Sequence, residues 1–149
     1  MPSASIKKQI SCSKENLIKM VLDIEKYPEF VPWCLNGKIK SKNDKGNIIE
    51  ITADLTIGKS FFKETYKSFV IYDKSLDLIH VTNIEGPLKH LENKWYFKQK
   101  EENSEVNFHV DFELKNKVLN LFISKSFDIG LKKIADSFEK RAVELFKRT

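Results

Sequence analysis

Arginine is nearly absent from this chain: Arg141 and Arg148 are the only two among 26 basic residues. Specific contacts to base edges favour the planar guanidinium fork, so no DNA partner is expected. Glycine is scarce as well, with five copies and no glycine-rich loop of the kind that cradles phosphate. The two cysteines, Cys12 and Cys34, have neither metal-ligand spacing nor a disulfide framework, and both are expected as free thiols. His80, His90 and His109 are scattered. No cluster of His, Cys and carboxylates has zinc-like spacing, so neither a metal site nor a catalytic residue is expected and the chain does not read as an enzyme. No run is long and apolar enough to span a bilayer. A strand-like pattern begins at once, so no signal or transit peptide is expected.

What remains is the composition of an ordinary folded domain, 41% hydrophobic and 32% charged, and 149 residues suit one domain over 1–149. Eleven phenylalanines supply bulky apolar volume. The formal charge of +5 suits an anionic membrane surface or RNA.

Residues 4–10 alternate loosely and predict a strand. Ser13 is a good N-cap and Glu15 complements the dipole of a helix lining up Leu17, Val21 and Ile24, widened by Ile18 and Leu22 and ending near Lys26. The two prolines of residues 27–34 then forbid a long regular helix, so this aromatic connector is a turn or broken helix that plugs a core or forms the lip of a cavity. A strand over 35–42, a turn over 43–47 and clean alternation over 49–57 follow, with Ile49, Ile51, Ala53, Leu55 and Ile57 on the buried side. Gly58 is expected to end that strand. Further strands are predicted over 61–72, 76–84, 88–100 and 106–114. Leu91, Asn93, Trp95 and Phe97 share one face, and Val106, Phe108, Val110, Phe112 and Leu114 alternate with Asn107, His109, Asp111 and Glu113.

From 117 to 146 the period becomes helical, with Val118, Phe122, Phe127, Leu131, Ile134, Phe138, Ala142 and Leu145 assigned to one face of a single helix on the order of 45 Å long. The class is α+β: a curved antiparallel sheet of about six to seven strands around a long C-terminal helix. The aromatic residues either complete a dry core or line a pocket. Cys34 reads as a buried structural thiol. Lys38, Lys40, Lys42 and Lys45 crowd one hairpin, where they suit RNA or anionic lipid headgroups.

The run Asp23-Ile24-Glu25-Lys26-Tyr27-Pro28-Glu29-Phe30-Val31-Pro32-Trp33-Cys34 resembles the signature of the coenzyme Q-binding START-domain family, which overlaps with the bacterial ribosome-association toxin RatA family. Residues 85–97 and 110–117 match further blocks, followed by Ala135, Phe138, Arg141 and Ala142 in the expected places, so the resemblance covers essentially the whole chain. It implies a helix-grip (START/Bet v 1-like, polyketide-cyclase-like) fold with an internal tunnel for ubiquinone or a related isoprenoid lipid, held as a ligand and not as a catalytic cofactor. The stretch Ala53-Asp54-Leu55-Thr56-Ile57-Gly58 and the Trp33-Cys34 pair look closer to the coenzyme Q-binding branch. Carried onto this chain, the lip would be Tyr27, Phe30, Val31 and Trp33, and the wall Leu55, Leu91, Trp95, Phe97, Phe108 and Phe112. The helix would add Phe127, Leu131 and Phe138. Of His90 and Asn93, the alternation puts only Asn93 on the Trp95 face, where a quinone head needs its one or two hydrogen bonds. The implied role is a quinone or lipid chaperone supporting respiration, cytoplasmic and peripheral at the anionic inner membrane surface. The alternative is a toxin that binds the ribosomal large subunit and blocks subunit association.

Overall fold

The structure, a computed structural model, describes residues 3–59, 62–85, 88–125 and 127–146. Its elements run β1 (Ser3–Ile10), α1 (Lys14–Leu22), a 3₁₀ turn (Ile24–Glu29), β2 (Cys34–Asp44), β3 (Ile48–Lys59), β4 (Phe62–Asp73), β5 (Leu78–Glu85), β6 (Leu88–Lys100), β7 (Asn103–Leu114), α2 (Lys117–Ser124) and α3 (Phe127–Leu145). The strands form one antiparallel sheet in the order β1-β7-β6-β5-β4-β3-β2. Short connections make β2 to β7 a meander. β1 then pairs with β7, Ser3 opposite Asp111 and Ile10 opposite Ser104, to supply the seventh strand. The α+β sheet-and-helix arrangement expected from the pattern, and the helix-grip fold the resemblance implies, are found.

One face of the sheet is apolar because the alternation makes it so. Ile49, Ile51, Ala53 and Leu55 are buried along β3, and Val106, Phe108, Val110 and Leu114 along β7. α1 begins where Ser13 Oγ accepts the Asn16 N–H, and buries Leu17, Ile18, Met20 and Val21. It ends at Leu22, short of the expected Lys26, and the chain tightens into the 3₁₀ turn that contains Pro28. In an α-helix that proline ring would clash with the carbonyl four residues back. The turn can lie against β2 because position 37 is glycine: a Cβ there would stand 2.6 Å from the Ile24 carbonyl oxygen.

Three further expectations are corrected. Gly58 does not end β3. It lies buried within the strand, and its N–H donates to the Trp33 carbonyl at 2.9 Å, so the strand continues by bonding the connector. The strand expected from 76 begins at Leu78, because Asp77 turns through a φ of 49° and leaves Leu76 exposed. The single helix over 117–146 is two helices with a turn at Lys125. At about 100° per residue, the five-residue step from position 122 to 127 rotates an apolar stripe by roughly 140°, so one straight helix cannot present both to the sheet. The break resets the phase. α3, with 19 residues, is about 28 Å long and buries Leu131, Ala135, Phe138 and Ala142. Val118 and Leu145, assigned to the covered face, are exposed. Phe61, Gly86, Pro87 and the Phe122 side chain lie outside the described residues.

The lysine cluster on β2 is partly neutralised: Lys40 pairs with Asp54 at 3.7 Å and Lys45 with Glu50 at 2.9 Å. β2 is an edge strand, where lysines also discourage pairing with another sheet.

Candidate functional site

Sheet and α3 enclose a cavity of about 370 Å³. Its floor comes from β3 to β7, one side from α3, and its lip from the end of the 3₁₀ turn and the segment after it. Trp95 stands at the deep end, its ring centroid 4.0 Å from Phe108 and 5.0 Å from Phe138. Near the other end, Phe112 of β7 meets Phe127 at the start of α3, centroids 5.0 Å apart.

The lip is fastened at several points. The Tyr27 hydroxyl donates to the Val21 carbonyl, and its ring meets Phe138 edge-on at 5.5 Å. Phe30 fits between Phe138, at 5.1 Å, and the Arg141 guanidinium, also at 5.1 Å. Arg141 Nη2 donates to Glu29 Oε1 at 2.7 Å, tying the lip to α3. Beyond it Trp33 takes a left-handed φ of 65°, uncommon for so bulky a residue, and this turn lays its indole on Gly130 of α3. Ile129, 63% exposed, and the exposed Lys133 belong to the same wall, which places the mouth between Trp33 and the first turns of α3.

Of the residues named from sequence, Tyr27, Val31, Trp33, Leu55, Leu91, Asn93, Trp95, Phe108, Phe112, Phe127, Leu131 and Phe138 line this cavity. Phe30 and Phe97 do not. Phe30 lies behind Tyr27 as a spacer between Phe138 and Arg141. Phe97 is one step farther along β6, stacked beside Trp95 in solid core.

Sequence reasoning missed Tyr66, Ser68 and Val70 on β4 and Ile79 and Val81 on β5. β4 is apolar on both faces, Phe69 and Ile71 alternating with Val70 and Tyr72, so alternation cannot choose the inner one. The hairpin register does. Residues directly opposite across an antiparallel pair share a face, and Tyr66 and Ser68 lie opposite the inward Leu55 and Ala53.

The polar groups in this apolar wall are few. Ser68 Oγ is spent on the Ala53 carbonyl at 3.2 Å. Asn93 is different: its side-chain oxygen is buried and has no hydrogen-bond partner. Oδ1 can accept from a guest hydroxyl, and the Nδ2 amide can donate to a guest carbonyl. Burial pushes the Tyr66 hydroxyl well above its ordinary pKa, with the Cys34 thiol a smaller cause, and burial does the same to Tyr27. Burial also pushes the Cys34 thiol up to about 11, so it stays protonated and unreactive at neutral pH. Its Sγ–H points to the Asn36 carbonyl at 3.7 Å. The interior is thus neutral, suited to sequestering an uncharged apolar molecule with one or two hydrogen-bonding atoms. Among the described residues, no group of three or more His, Cys, Asp or Glu is placed to hold a metal ion.

Residues 12–139 match the family described as polyketide cyclase / dehydrase and lipid transport. The chain is 33% identical over 136 residues to the ribosome association toxin RatA of Rickettsia prowazekii, covering 89% of this chain and 90% of that one. It is 30% identical over 142 residues to the mitochondrial coenzyme Q-binding protein COQ10 of Dictyostelium discoideum, covering 93% and 68%. A START superfamily protein from Mycobacterium smegmatis superposes with a TM-score of 0.80 at 18% identity, over 96% of this chain and 98% of that one, which speaks to the fold. A seven-stranded sheet gripping a C-terminal helix around an apolar cavity, with these relatives, makes the chain a member of the polyketide cyclase / dehydrase and lipid transport family.

Proposed function

We propose that this protein is a non-catalytic carrier of an isoprenoid quinone, ubiquinone first, held in the cavity between β-sheet and α3. The observation that carries the reading is an apolar cavity with one amide side chain, Asn93, in its wall, whose Nδ2–H can donate to a quinone carbonyl. An isoprenoid tail gains about 1.5–3 kcal/mol for each side-chain-sized group it buries, and the head needs little more than one amide contact. At about 370 Å³ the cavity lies near the small end of ligand sites, so it takes the head and the first tail units. The rest of a long tail leaves past Trp33. Similarity to a coenzyme Q-binding protein supports this choice of ligand. No described helix is long and apolar enough to cross a membrane, which fits a carrier that visits the cytoplasmic face of the inner membrane to load and unload in support of respiration.

The test is native mass spectrometry with organic extraction, on protein purified gently from cells that make ubiquinone. A stoichiometric isoprenoid quinone is expected. An empty protein that also refuses added quinone would sink the carrier reading.

A second reading rests on the similarity to RatA: binding of the ribosomal large subunit. Lys38 and Lys42 would carry it, since Lys40 and Lys45 are paired with carboxylates. Charge reversal at Lys38 and Lys42 would then abolish co-sedimentation with large subunits and leave quinone uptake unchanged.

A further inference from the structure

The two most exposed large apolar side chains among the described residues are not on the lysine-rich hairpin but on α2. Val118 is 77% exposed, Leu121 67% and Ile129, in the first turn of α3, 63%. Val118 and Leu121 are three residues apart and therefore share a helix face. Lys117 and Lys125 lie four residues to either side of Leu121, so a cation brackets the apolar face on the turn before and the turn after. Lys115 precedes the helix and Lys133 follows Ile129 by four. All four lysines are exposed, and none makes an ion pair among the described residues. The one exposed carboxylate between them is Asp128.

Aliphatic side chains bracketed by unpaired lysines match an anionic bilayer surface, where hydrocarbon begins just below the headgroups and lysine stems reach back to the phosphates. RNA offers phosphates to the lysines but nothing to Val118, Leu121 and Ile129. Position strengthens the argument, because Ile129 and Lys133 also line the cavity mouth. A bilayer that takes up Ile129 would lie at the opening. We infer that α2 and the first turn of α3 form an interfacial docking face for anionic membranes, with Val118, Leu121 and Ile129 entering the acyl boundary and Lys115, Lys117, Lys125 and Lys133 contacting headgroup phosphates.

Docking is separable from cargo, so the experiment uses ligand-free protein and vesicles without quinone. Flotation with phosphatidylglycerol-containing vesicles is compared with pure phosphatidylcholine. Wild-type protein is expected to float with the anionic vesicles and far less with the neutral ones, with binding weakened by salt. Val118→Glu/Leu121→Glu should reduce binding at least about tenfold, since it loses two apolar anchors and adds charge to the face. Both positions are exposed, so circular dichroism and the melting temperature should be unchanged. Lys117→Gln/Lys125→Gln is the second variant: it should weaken binding to anionic vesicles and leave the residual neutral binding alone. The inference is overturned if wild-type protein ignores anionic vesicles or if the glutamate variant binds like wild type. It is equally overturned if sedimentation shows a dimer that the glutamate variant dissolves, or if that variant loses ribosomal subunits instead of vesicles. Quinone uptake from detergent micelles reports on the cavity independently, so a failed carrier and a failed docking face give different results.

Discussion

Two atoms of the Trp33 indole stand 3.4 Å from where a side chain on Gly130 would begin. The lip and α3 therefore meet at a tryptophan held in a left-handed turn and a helical position with no side chain. A methyl group at 3.4 Å is in ordinary van der Waals contact, and alanine is better than glycine inside a helix by about 1 kcal/mol. Gly130→Ala should thus raise the melting temperature by about 3 °C with Trp33 in place. Gly130→Leu needs the volume the indole occupies. It should expel Trp33 from the mouth, seen as a red shift of tryptophan emission in a Trp95→Phe background, with faster exchange of bound quinone.

The Glu29–Arg141 bond makes lip closure sensitive to acid. The hydrogen bond from Arg141 at 2.7 Å, with Lys26 assisting, holds the Glu29 carboxyl below its ordinary value. Because the folded-state value is depressed, the contribution is fully present above the ordinary glutamate pKa. It is lost as the pH falls through the lower, folded-state value. Protection of the Phe30 and Val31 amides, taken against the intrinsic exchange rate at each pH, should therefore fall in that acid window, and Glu29→Gln should lower it at neutral pH and remove its dependence on pH. A local probe is needed because Asp136, lowered by its bond to Lys8, gives global stability a dependence of the same sign. Unchanged exchange in Glu29→Gln would show that the aromatic contacts alone hold the lip.

The strands were readable where one face is polar. β3 and β7 alternate cleanly, and their inward residues follow from period two alone. β4 was not, because both faces are apolar and only pairing with β3 decides between them. The helical period over 117–146 was correct but hid the break, since a stripe counted across five residues looks continuous on paper while turning by roughly 140° in space. The lip was marked by its two prolines and aromatics. That Phe30 backs Tyr27 instead of facing the cavity depends on Arg141, more than a hundred residues away, which no local pattern shows.

Trp95 and Val81 both line the cavity, yet their substitutions should behave oppositely. Trp95 is 7% exposed and packed against Phe97, Phe108 and Phe138, so Trp95→Ala should cost about 3–5 kcal/mol in chemical denaturation. Loss of quinone there would follow from loss of fold. Val81, partly buried on β5, borders free volume. Val81→Phe fills an apolar void at little cost, and stability should hold or rise. Occupancy by quinone should fall at least severalfold by mass spectrometry, since the added ring takes the space of the guest. If occupancy survives Val81→Phe, the ligand lies elsewhere.

Asn93 allows the sharpest separation of binding from stability. A buried acceptor without a partner costs about 1–3 kcal/mol in the empty protein. Asn93→Leu removes that cost at nearly constant volume, so the ligand-free variant should be more stable than wild type by about 1 kcal/mol. A quinone carbonyl only accepts, so it bonds the Asn93 Nδ2–H and leaves Oδ1 unpaired, and a typical net hydrogen bond is worth about 0.5–1.5 kcal/mol. Affinity for a short-chain quinone, read by quenching of tryptophan emission, should therefore fall by roughly threefold to tenfold in the same variant. Opposite signs in the melt and the titration identify Asn93 as a polar contact of the ligand, held at the expense of the empty fold. A variant both more stable and equally tight would leave the guest bound by its tail alone, with its head away from β6.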